Sequence, residues 1–206
     1  MAQMGEVGRA LQAANVTVDE AFTSVLKRCI RSQWLLLDHL DLMWIPQTLD
    51  WRLNERHYGA LTGLSKAAAV RQYGESTVQL WRRDFDAVPP RSVPDSGDVT
   101  LDQRYCHLRP DQIPASESLK QTVERVGAAW GEKIGPLVAS GKHVLVVGHG
   151  NALRGLTKIV EGLSEDKTSR LDILNAEPVF YTLGSDLRVV EKSSMSLPGR
   201  SSSEIL

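Results

Sequence analysis

The sequence lacks several features that would place it at once in a common class of protein. Its longest apolar runs, such as residues 34–37, are far too short to cross a bilayer, and residues 1–20 hold no apolar core of a signal peptide. The net charge of −1 provides no basic field that would draw the chain to nucleic acid or to an anionic membrane. These absences predict a soluble cytoplasmic protein that binds neither nucleic acid nor membrane.

Cysteine and histidine are also scarce, and their positions argue against some kinds of site. The two cysteines, Cys29 and Cys106, lie far apart and lack the spacing of metal ligands, so we expect no metal site. A disulfide between them stays open, but reduced thiols in a cytosolic protein are the favoured interpretation. Of the 5 histidines, none precedes His39. We interpret His39, His107 and His143, which have no partners nearby in sequence, as structural or exposed.

The length and composition suit a compact domain. With 206 residues, of which 42% are hydrophobic, the chain can bury a substantial core. We expect residues 1–192 to form one domain. From Ser193 onward the chain is rich in serine, which predicts a disordered tail over residues 193–206.

The pattern of apolar residues predicts helices that alternate with strands. Residues 21–24 are typical of a short strand that opens into a helix, and residues 48–53 of another short strand. Residues 142–147 predict a buried strand, followed by a helix over residues 152–160. This alternation indicates an α/β layer fold, in which ligands bind outside the carboxyl ends of the strands. Further helices are predicted over residues 4–14, 65–69 and 116–134 (with Ser116 as a cap), and a closing hairpin over residues 179–190.

The densest polar segment is Asn-Glu-Arg-His-Tyr-Gly at residues 54–59. No helix face or half-buried strand needs that sequence, and such polar density in a short loop suggests a site. Glu55 is either a solvated loop carboxylate or a general acid–base whose proton affinity is raised by partial burial. Because Arg56 and His57 lie beside it and allow both tuning and substrate contact, we favour the second interpretation.

A second cluster, Gly-His-Gly-Asn at residues 148–151, directly follows the apolar run 144–147. Its glycines let the backbone approach a ligand, and the start of the following helix favours an anion. The segment is no P-loop, because the lysine of that motif is missing, and the dinucleotide-binding fingerprint is also incomplete. His149 is therefore either a turn histidine bonded to backbone or a group that binds a ligand.

Several cations are open to two interpretations. Arg82 and Arg83 are adjacent on a predicted helix, where they either point into solvent or grip a phosphate or carboxylate through their guanidinium groups. Arg28, at the start of another predicted helix, has the same ambiguity. Lys66 lies near a helix start, which is unfavourable for the helix dipole and so favours a role in ligand binding.

Five segments carry a resemblance to a known family. They are Thr-Ser-Val-Leu-Lys-Arg at residues 23–28, Leu-Asn-Glu-Arg-His-Tyr-Gly-Ala-Leu at 53–61, Gly-Leu-Ser-Lys-Ala at 63–67, Trp-Arg-Arg at 81–83 and Gly-His-Gly-Asn-Ala-Leu-Arg at 148–154. Together they resemble the cofactor-dependent phosphoglycerate mutases of the histidine phosphatase superfamily. The segment around Glu55 and the paired arginines are far more specific than the short His-Gly element.

The resemblance implies a three-layer α/β fold with a mostly parallel sheet flanked by helices. It implies interconversion of 3-phosphoglycerate and 2-phosphoglycerate, in glycolysis and gluconeogenesis, through a phosphohistidine primed by 2,3-bisphosphoglycerate. No metal is implied, and homodimers are usual. Glu55 corresponds to the general acid–base, and His149 to the histidine that stabilises the transferring phosphoryl group. The implied substrate-binding residues are Arg28, Arg56, His57, Tyr58, Lys66, Arg82, Arg83, Gly150 and Asn151.

The resemblance is incomplete at the start of the chain. The family begins with a strand that ends in Arg-His-Gly-Glu-Ser, whose histidine becomes phosphorylated. The sequence contains no such motif, nor the Trp-Asn and Thr-Gly elements that follow it in the family. Because Met1 aligns inside the next helix, we expect an N-terminal segment with a central strand to be missing, and the chain by itself to be inactive.

Three functional interpretations therefore stay open. The first is a phosphoglycerate mutase shortened at its N-terminus. The second is a pseudoenzyme of the same fold that binds phosphorylated ligands or partners without turnover. The third is a bisphosphoglycerate synthase or phosphatase of the superfamily. An in-frame segment encoding a strand and Arg-His-Gly upstream of Met1 would support the first, and an in-frame stop just upstream would support the second.

Overall fold

The computed structural model describes residues 2–92 and 102–195, apart from the side chain of Ala2. Within these ranges, helices and strands alternate up to β2, and four helices then precede β3. The helices are α1 (Ala2–Ala13), α2 (Lys27–His39), α3 (Lys66–Tyr73), α4 (Glu75–Arg83), α5 (Leu119–Ala129), α6 (Gly135–Ala139), α7 (Gly150–Glu161) and α8 (Glu165–Arg170). The strands are β1 (Glu20–Thr23), β2 (Gln47–Leu49), β3 (Val144–Val147), β4 (Val179–Leu183) and β5 (Val189–Ser194).

The first three strands form a parallel sheet in the order β2-β1-β3. In this sheet Phe22 of β1 pairs with Thr48 of β2 and with Val146 of β3. Strands β4 and β5 form a separate antiparallel hairpin. The parallel sheet with its flanking helices confirms the predicted α/β fold class.

Helices cover both faces of the sheet because successive side chains of a strand point to opposite sides. On one face, Phe22 and the even-numbered residues of β3 pack with residues of α5 and α7, such as Val126 and Ala152. On the other face, Leu145 packs with residues of α1 and α2. The sheet is thus the middle of three layers, which explains why β3 is apolar at every position.

Several predicted boundaries were wrong, for local reasons. The long helix begins after Ser118, whose hydroxyl accepts a hydrogen bond from the Gln121 amide, whereas the Ser116 hydroxyl donates to the Pro89 carbonyl. After α5, the helix continues as a π-helical turn over Trp130–Ile134. The strand predicted over residues 48–53 ends at Leu49, because Asp50 caps a 3₁₀ turn instead.

Two other predictions need correction at the end of the sheet and of the chain. Strand β3, which was predicted to be buried, pairs on one side only, with β1, and each of its residues is half-buried. Ser193 and Ser194, predicted to be disordered, belong to β5 and pair with β4. Residues 196–206 of the predicted tail lie outside the described residues, as do residues 93–101. Within the described part of the chain, no helix is both long and apolar enough to span a bilayer.

Candidate active site

The carboxyl ends of the three parallel strands meet at one edge of the sheet, and the polar segments follow them. Ser24 comes directly after β1, Asp50 directly after β2, and Gly148 directly after β3. Hydrogen bonds join these ends: the Thr23 hydroxyl donates to the Val147 carbonyl over 2.7 Å, and the Asp50 amide donates to the Thr23 carbonyl over 2.8 Å. The fold therefore brings together segments that lie far apart in sequence, where ligands bind in such sheets.

The carboxylate of Glu55 is held at the start of helix α7. Its Oε1 atom accepts hydrogen bonds from the Arg56 amide over 2.7 Å, from Asn151 Nδ2 over 3.0 Å and from the Asn151 amide over 3.3 Å. Amides in the first turn of a helix have no partner within the helix, and the helix dipole favours a negative charge there. The predicted anion site at this turn thus holds the protein's own carboxylate, and a Cβ at Gly150 would lie 3.9 Å from Glu55 Oε2.

The amide of Asn151 connects the two predicted segments. Besides Glu55, its Nδ2 group donates to the Tyr58 hydroxyl over 3.0 Å, and its Oδ1 atom accepts from Arg154 Nη1 over 3.0 Å. Arg154 in turn donates from Nε to the Leu171 carbonyl over 2.8 Å. Because Oδ1 faces a guanidinium, Nδ2 must face Glu55, so Arg154 determines the orientation of the amide.

The imidazole of His149 lies at the cap position of α7 and is buried between groups from β1 and α2. Its Nε2 atom is 2.8 Å from the Ser24 hydroxyl, and Arg28 Nε donates to its Nδ1 atom over 3.2 Å. The Cys29 thiol donates to the Gly148 carbonyl over 3.4 Å and lies 3.6 Å from Nδ1. Because Nδ1 accepts from Arg28, Nε2 carries the proton and donates to Ser24.

Burial keeps both histidines of the site neutral at pH 7. It lowers the pKa of His149 to about 4, and the positive charges of Arg28 and Arg125 act in the same direction. Burial also lowers the pKa of His57, against an opposing effect of Glu117. A neutral His149 can donate a hydrogen bond from Nε2 to an oxygen atom of a ligand.

Arg56 is a buried cation with an unused donor. It donates from Nε to the Glu117 carbonyl and from Nη2 to the Ala87 carbonyl, both over 2.8 Å, and lies 5.1 Å from the centroid of the Tyr58 ring. Among the described residues, its buried Nη1 atom has no hydrogen-bond partner, and neither has Nε2 of His57. Burial lowers the pKa of Arg56. The unpaired Nη1 donor could bind an anion.

The loop that carries these groups ends at a glycine for a steric reason. Gly59 has a φ of +57°, which side chains other than glycine rarely adopt, and a Cβ at this position would lie 2.1 Å from the Pro90 carbonyl oxygen. The Ala60 amide donates to the same carbonyl over 2.9 Å. Glycine at this position therefore lets the loop pass close to the backbone of Pro90.

Comparisons with known sequences point to one family. A sequence model described as histidine phosphatase superfamily (branch 1) matches residues 1–193. A 2,3-bisphosphoglycerate-dependent phosphoglycerate mutase of Mannheimia succiniciproducens is 46% identical over 188 residues, which cover 91% of this chain and 83% of that protein. A second such mutase, from Latilactobacillus sakei, is 42% identical over 195 residues, which cover 94% and 85%. The chain belongs to this family of the histidine phosphatase superfamily.

Solved structures share the fold. A mycobacterial glucosyl-3-phosphoglycerate phosphatase in complex with VO3 has a TM-score of 0.67 at 18% identity, over 94% of this chain and 81% of that chain. A phosphoglycerate mutase from Bacillus anthracis has a TM-score of 0.52 at 16% identity, over 78% of this chain and 66% of that chain. At these identities the likeness establishes the fold alone.

The structure brings together most of the site residues predicted for a mutase of this family. Glu55, Tyr58, Gly150 and Asn151 form one group, and Arg28 with His149 forms another. Lys66 and Arg82 are exposed, and among the described residues no hydrogen bond or ion pair joins either of them to these groups. Arg83 is also exposed and pairs with Asp172 over 3.3 Å. Burial lowers the pKa of Arg154, and the positive charge of Arg83 acts in the same direction.

Five residues of the site were missed as individual candidates. Ser24 and Arg154 lie inside segments that carry the family resemblance, and Arg154 follows Asn151 by three positions on one helix face, a spacing that could have pointed to it. No local signal marks the other three residues, because their partners are distant in sequence. These three are Cys29, Glu117 and Arg125. Across the described ranges, no group of three or more His, Cys, Asp or Glu side chains could hold a metal ion.

Proposed function

We propose that this chain forms the substrate site for interconversion of 3-phosphoglycerate and 2-phosphoglycerate in glycolysis and gluconeogenesis, with 2,3-bisphosphoglycerate as the phosphoryl primer. The observation that carries the proposal is the carboxylate of Glu55, fixed by Asn151 at a helix start in the same site as a neutral His149. The names of relatives that are 42% and 46% identical supply the substrate and the primer.

Glu55 is proposed as the general acid–base. The hydrogen bonds from described residues to its carboxylate all converge on Oε1, which leaves Oε2 to face a substrate hydroxyl. Oε2 would take the proton of the attacking hydroxyl as the phosphoryl group arrives, and would return a proton to the oxygen that departs in the reverse step. The bonds to Oε1 hold the carboxylate in place during both steps.

His149 is proposed to stabilise the transferring phosphoryl group. A loose phosphoryl transition state needs positioned donors and cations more than covalent chemistry. The Nε2 proton of His149, shared with Ser24 here, is such a donor, and Arg28 adds a positive charge beside it. The phosphate and carboxylate of the substrate would be bound by Arg28, Arg56, His57, Tyr58, Lys66, Arg82, Arg83, Gly150 and Asn151.

The nucleophile of a phosphohistidine mechanism would be a second histidine at the same site. In the described part of the chain, no hydrogen bond joins another histidine to His149 or Glu55. We therefore propose that this chain by itself binds phosphoglycerates but does not turn them over. This leaves a binding protein of the same fold, without turnover, as the second candidate function, and a bisphosphoglycerate synthase or phosphatase as the third.

Isothermal titration calorimetry with 3-phosphoglycerate and with 2,3-bisphosphoglycerate, beside a turnover assay with both present, tests the proposal. Binding that weakens in Arg56→Met, but not in Lys192→Met on the distant hairpin, would support it. Absence of binding of either ligand to the unaltered chain would refute it. Turnover at the rate of a complete mutase would refute the statement that a nucleophile is lacking, and hydrolysis of 2,3-bisphosphoglycerate alone would favour the phosphatase.

We also propose a cytoplasmic homodimer. Both cysteines are free, which fits a reducing compartment. A patch of exposed apolar side chains lies on α2, on β2 and on the segment between them: Trp34, Trp44 and Leu49 are 50%, 79% and 46% exposed. Strand β2 pairs with β1 on one side only, so a second copy of this chain could cover the patch and its open edge. Sedimentation analysis of Trp44→Glu should show a shift from dimer to monomer.

A further inference from the structure

We propose that the buried pair of Glu117 and Arg125 positions the loop that carries Glu55, and that the pair serves the site rather than the stability of the fold. The inference rests on the proposed function for its ligand. In this proposal Glu117 and Arg125, which lie outside the predicted site, hold the catalytic carboxylate and its neighbours in place.

The two side chains form a bidentate ion pair inside the protein. Arg125 Nη2 lies 2.6 Å from Glu117 Oε1, and Arg125 Nε lies 3.0 Å from Glu117 Oε2. Their side chains are only 7% and 1% exposed. Glu117 directly precedes Ser118, the cap of α5, and Arg125 lies two turns along that helix. The helix thus presents a fixed pair of opposite charges beneath the loop.

The remaining hydrogen bonds of the pair go to the backbone of the Glu55 loop. Arg125 donates from Nη1 to the Arg52 carbonyl over 2.6 Å and from Nη2 to the Glu55 carbonyl over 3.3 Å. Glu117 Oε1 accepts from the His57 amide over 2.8 Å. The pair therefore contacts the backbone before, at and after the catalytic carboxylate.

The backbone of Glu117 adds two further contacts to the same loop. Its amide donates to the His57 carbonyl over 2.9 Å, and its carbonyl accepts from Arg56 Nε over 2.8 Å. Residues 54–58 lie between two 3₁₀ turns and take part in no strand or α-helix. An irregular segment of this kind must find its backbone partners elsewhere, and here Glu117 and Arg125 supply them.

A role in stability alone does not account for this arrangement. The free energy lost when two charges are removed from water offsets much of the free energy gained from their attraction. Replacing such a pair by apolar side chains of similar volume is therefore often neutral or stabilising. Apolar side chains could not replace the bonds to the loop, however. A displacement of about 1 Å can cost roughly 10²-fold in rate at a catalytic group. Stability and site geometry should therefore respond differently when the whole pair is removed.

The test compares Glu117→Leu, Arg125→Met and the double variant with the unaltered chain. Each single variant leaves a buried charge unpaired and should lower the urea midpoint sharply, whereas the double variant should regain the part of that loss that comes from the unpaired charge. Affinity for 3-phosphoglycerate, measured by calorimetry, should stay at least about tenfold weaker in the double variant, because the loop has lost its backbone partners. Recovery of both stability and affinity would overturn the proposal.

A matched control removes another ion pair, far from the site. Glu161 and Lys192 lie 2.8 Å apart at the other end of α7, and Glu161→Leu with Lys192→Met should leave the affinity unchanged.

If the double variant fails to fold, Arg125→Lys can be tested in its place, since it keeps the charge but loses the guanidinium fork. It should fold and still bind 3-phosphoglycerate more weakly, and unaltered affinity would count against the proposal.

A measurement that needs no ligand separates this proposal from the proposed function. Amide hydrogen exchange should become at least about tenfold faster at His57 in the double variant, because its amide loses its acceptor, while the amides of α7 beyond its first turn should keep their protection. If the unaltered chain binds no phosphoglycerate, the proposed function fails, and exchange at His57 still decides the role of the pair. Unchanged exchange there would refute it.

Discussion

The two segments proposed to carry the catalytic groups are held in place in different ways. The His149 turn lies between β3 and α7, and its position follows from a strand that ends and a helix that begins. The Glu55 loop belongs to neither kind of element and depends on Glu117 and Arg125, more than sixty positions away by the numbering of the chain. Distant substitutions should therefore disturb Glu55 before they disturb His149.

Removing each proposed catalytic group tests whether the two segments act as one site. In a version of the chain preceded by a strand with an Arg-His-Gly motif, Glu55→Gln should lower turnover of 3-phosphoglycerate by roughly 10²–10⁴-fold, the usual contribution of a placed acid–base. His149→Leu should also lower it, through loss of the Nε2 donor. Steady-state kinetics measure both, with the exposed Glu124→Gln and His143→Leu as controls. Full activity of Glu55→Gln would disprove the role of Glu55.

Acid should lower the stability of the folded chain through the buried histidines of both segments. Burial lowers the pKa of His149 from 6.5 to about 4, so between these values the unfolded chain binds a proton that the folded chain does not. The stability that this group contributes is complete above pH 6.5 and is lost as the pH falls toward 4, by at most about 3 kcal/mol. The pKa of His57 is lowered too, and its effect has the same sign.

Urea unfolding of the unaltered chain and of His149→Gln, followed across this pH range, measures the effect. The unaltered chain should lose more stability than the variant as the pH falls. The difference between the two curves isolates His149, because His57 and the carboxylates are common to both proteins. Parallel curves would show that His149 is not held neutral in the folded state.

Asn151 is the point at which the two segments meet. Asn151→Leu removes the donors to Glu55 and Tyr58 and leaves Arg154 Nη1 without its acceptor, so it should cost about 1–3 kcal/mol of stability. Chemical denaturation measures this cost, and Gln79→Leu on the exposed face of α4 provides the control. A loss no greater than that of the control would mean that the two segments are independent.

The smallest expected effect concerns the helix cap next to Glu117. Ser118→Ala removes the cap of α5 and should cost about 1 kcal/mol, as should Ser164→Ala at the start of α8. Only the first lies beside the Glu117–Arg125 pair, so only Ser118→Ala should also weaken binding of 3-phosphoglycerate. Thermal unfolding and calorimetry of both variants test this, and equal affinities would weaken the link between cap and loop.

The difference between the two segments also explains which predictions succeeded. The turn at His149 was placed correctly from an apolar run followed by Gly-His-Gly, because strand, turn and helix are consecutive in sequence. The strand after Pro46 was predicted too long, because the side chain of Asp50 turns the chain at a point where alternating residues suggested that the strand continued. Ser118 was missed as a cap since Ser116 offers the same hydroxyl two positions earlier.

The sequence by itself determined the α/β class, the family and the segments that carry the proposed catalytic residues, because periodicity and short motifs are local properties of a chain. Tertiary structure alone decided that Oε1 of Glu55 meets the amide of Asn151, that Arg28 selects the tautomer of His149, and that Glu117 with Arg125 supports the loop. These contacts join residues from separate elements. Such contacts form only once the strands have aligned their carboxyl ends and burial has removed the competing water.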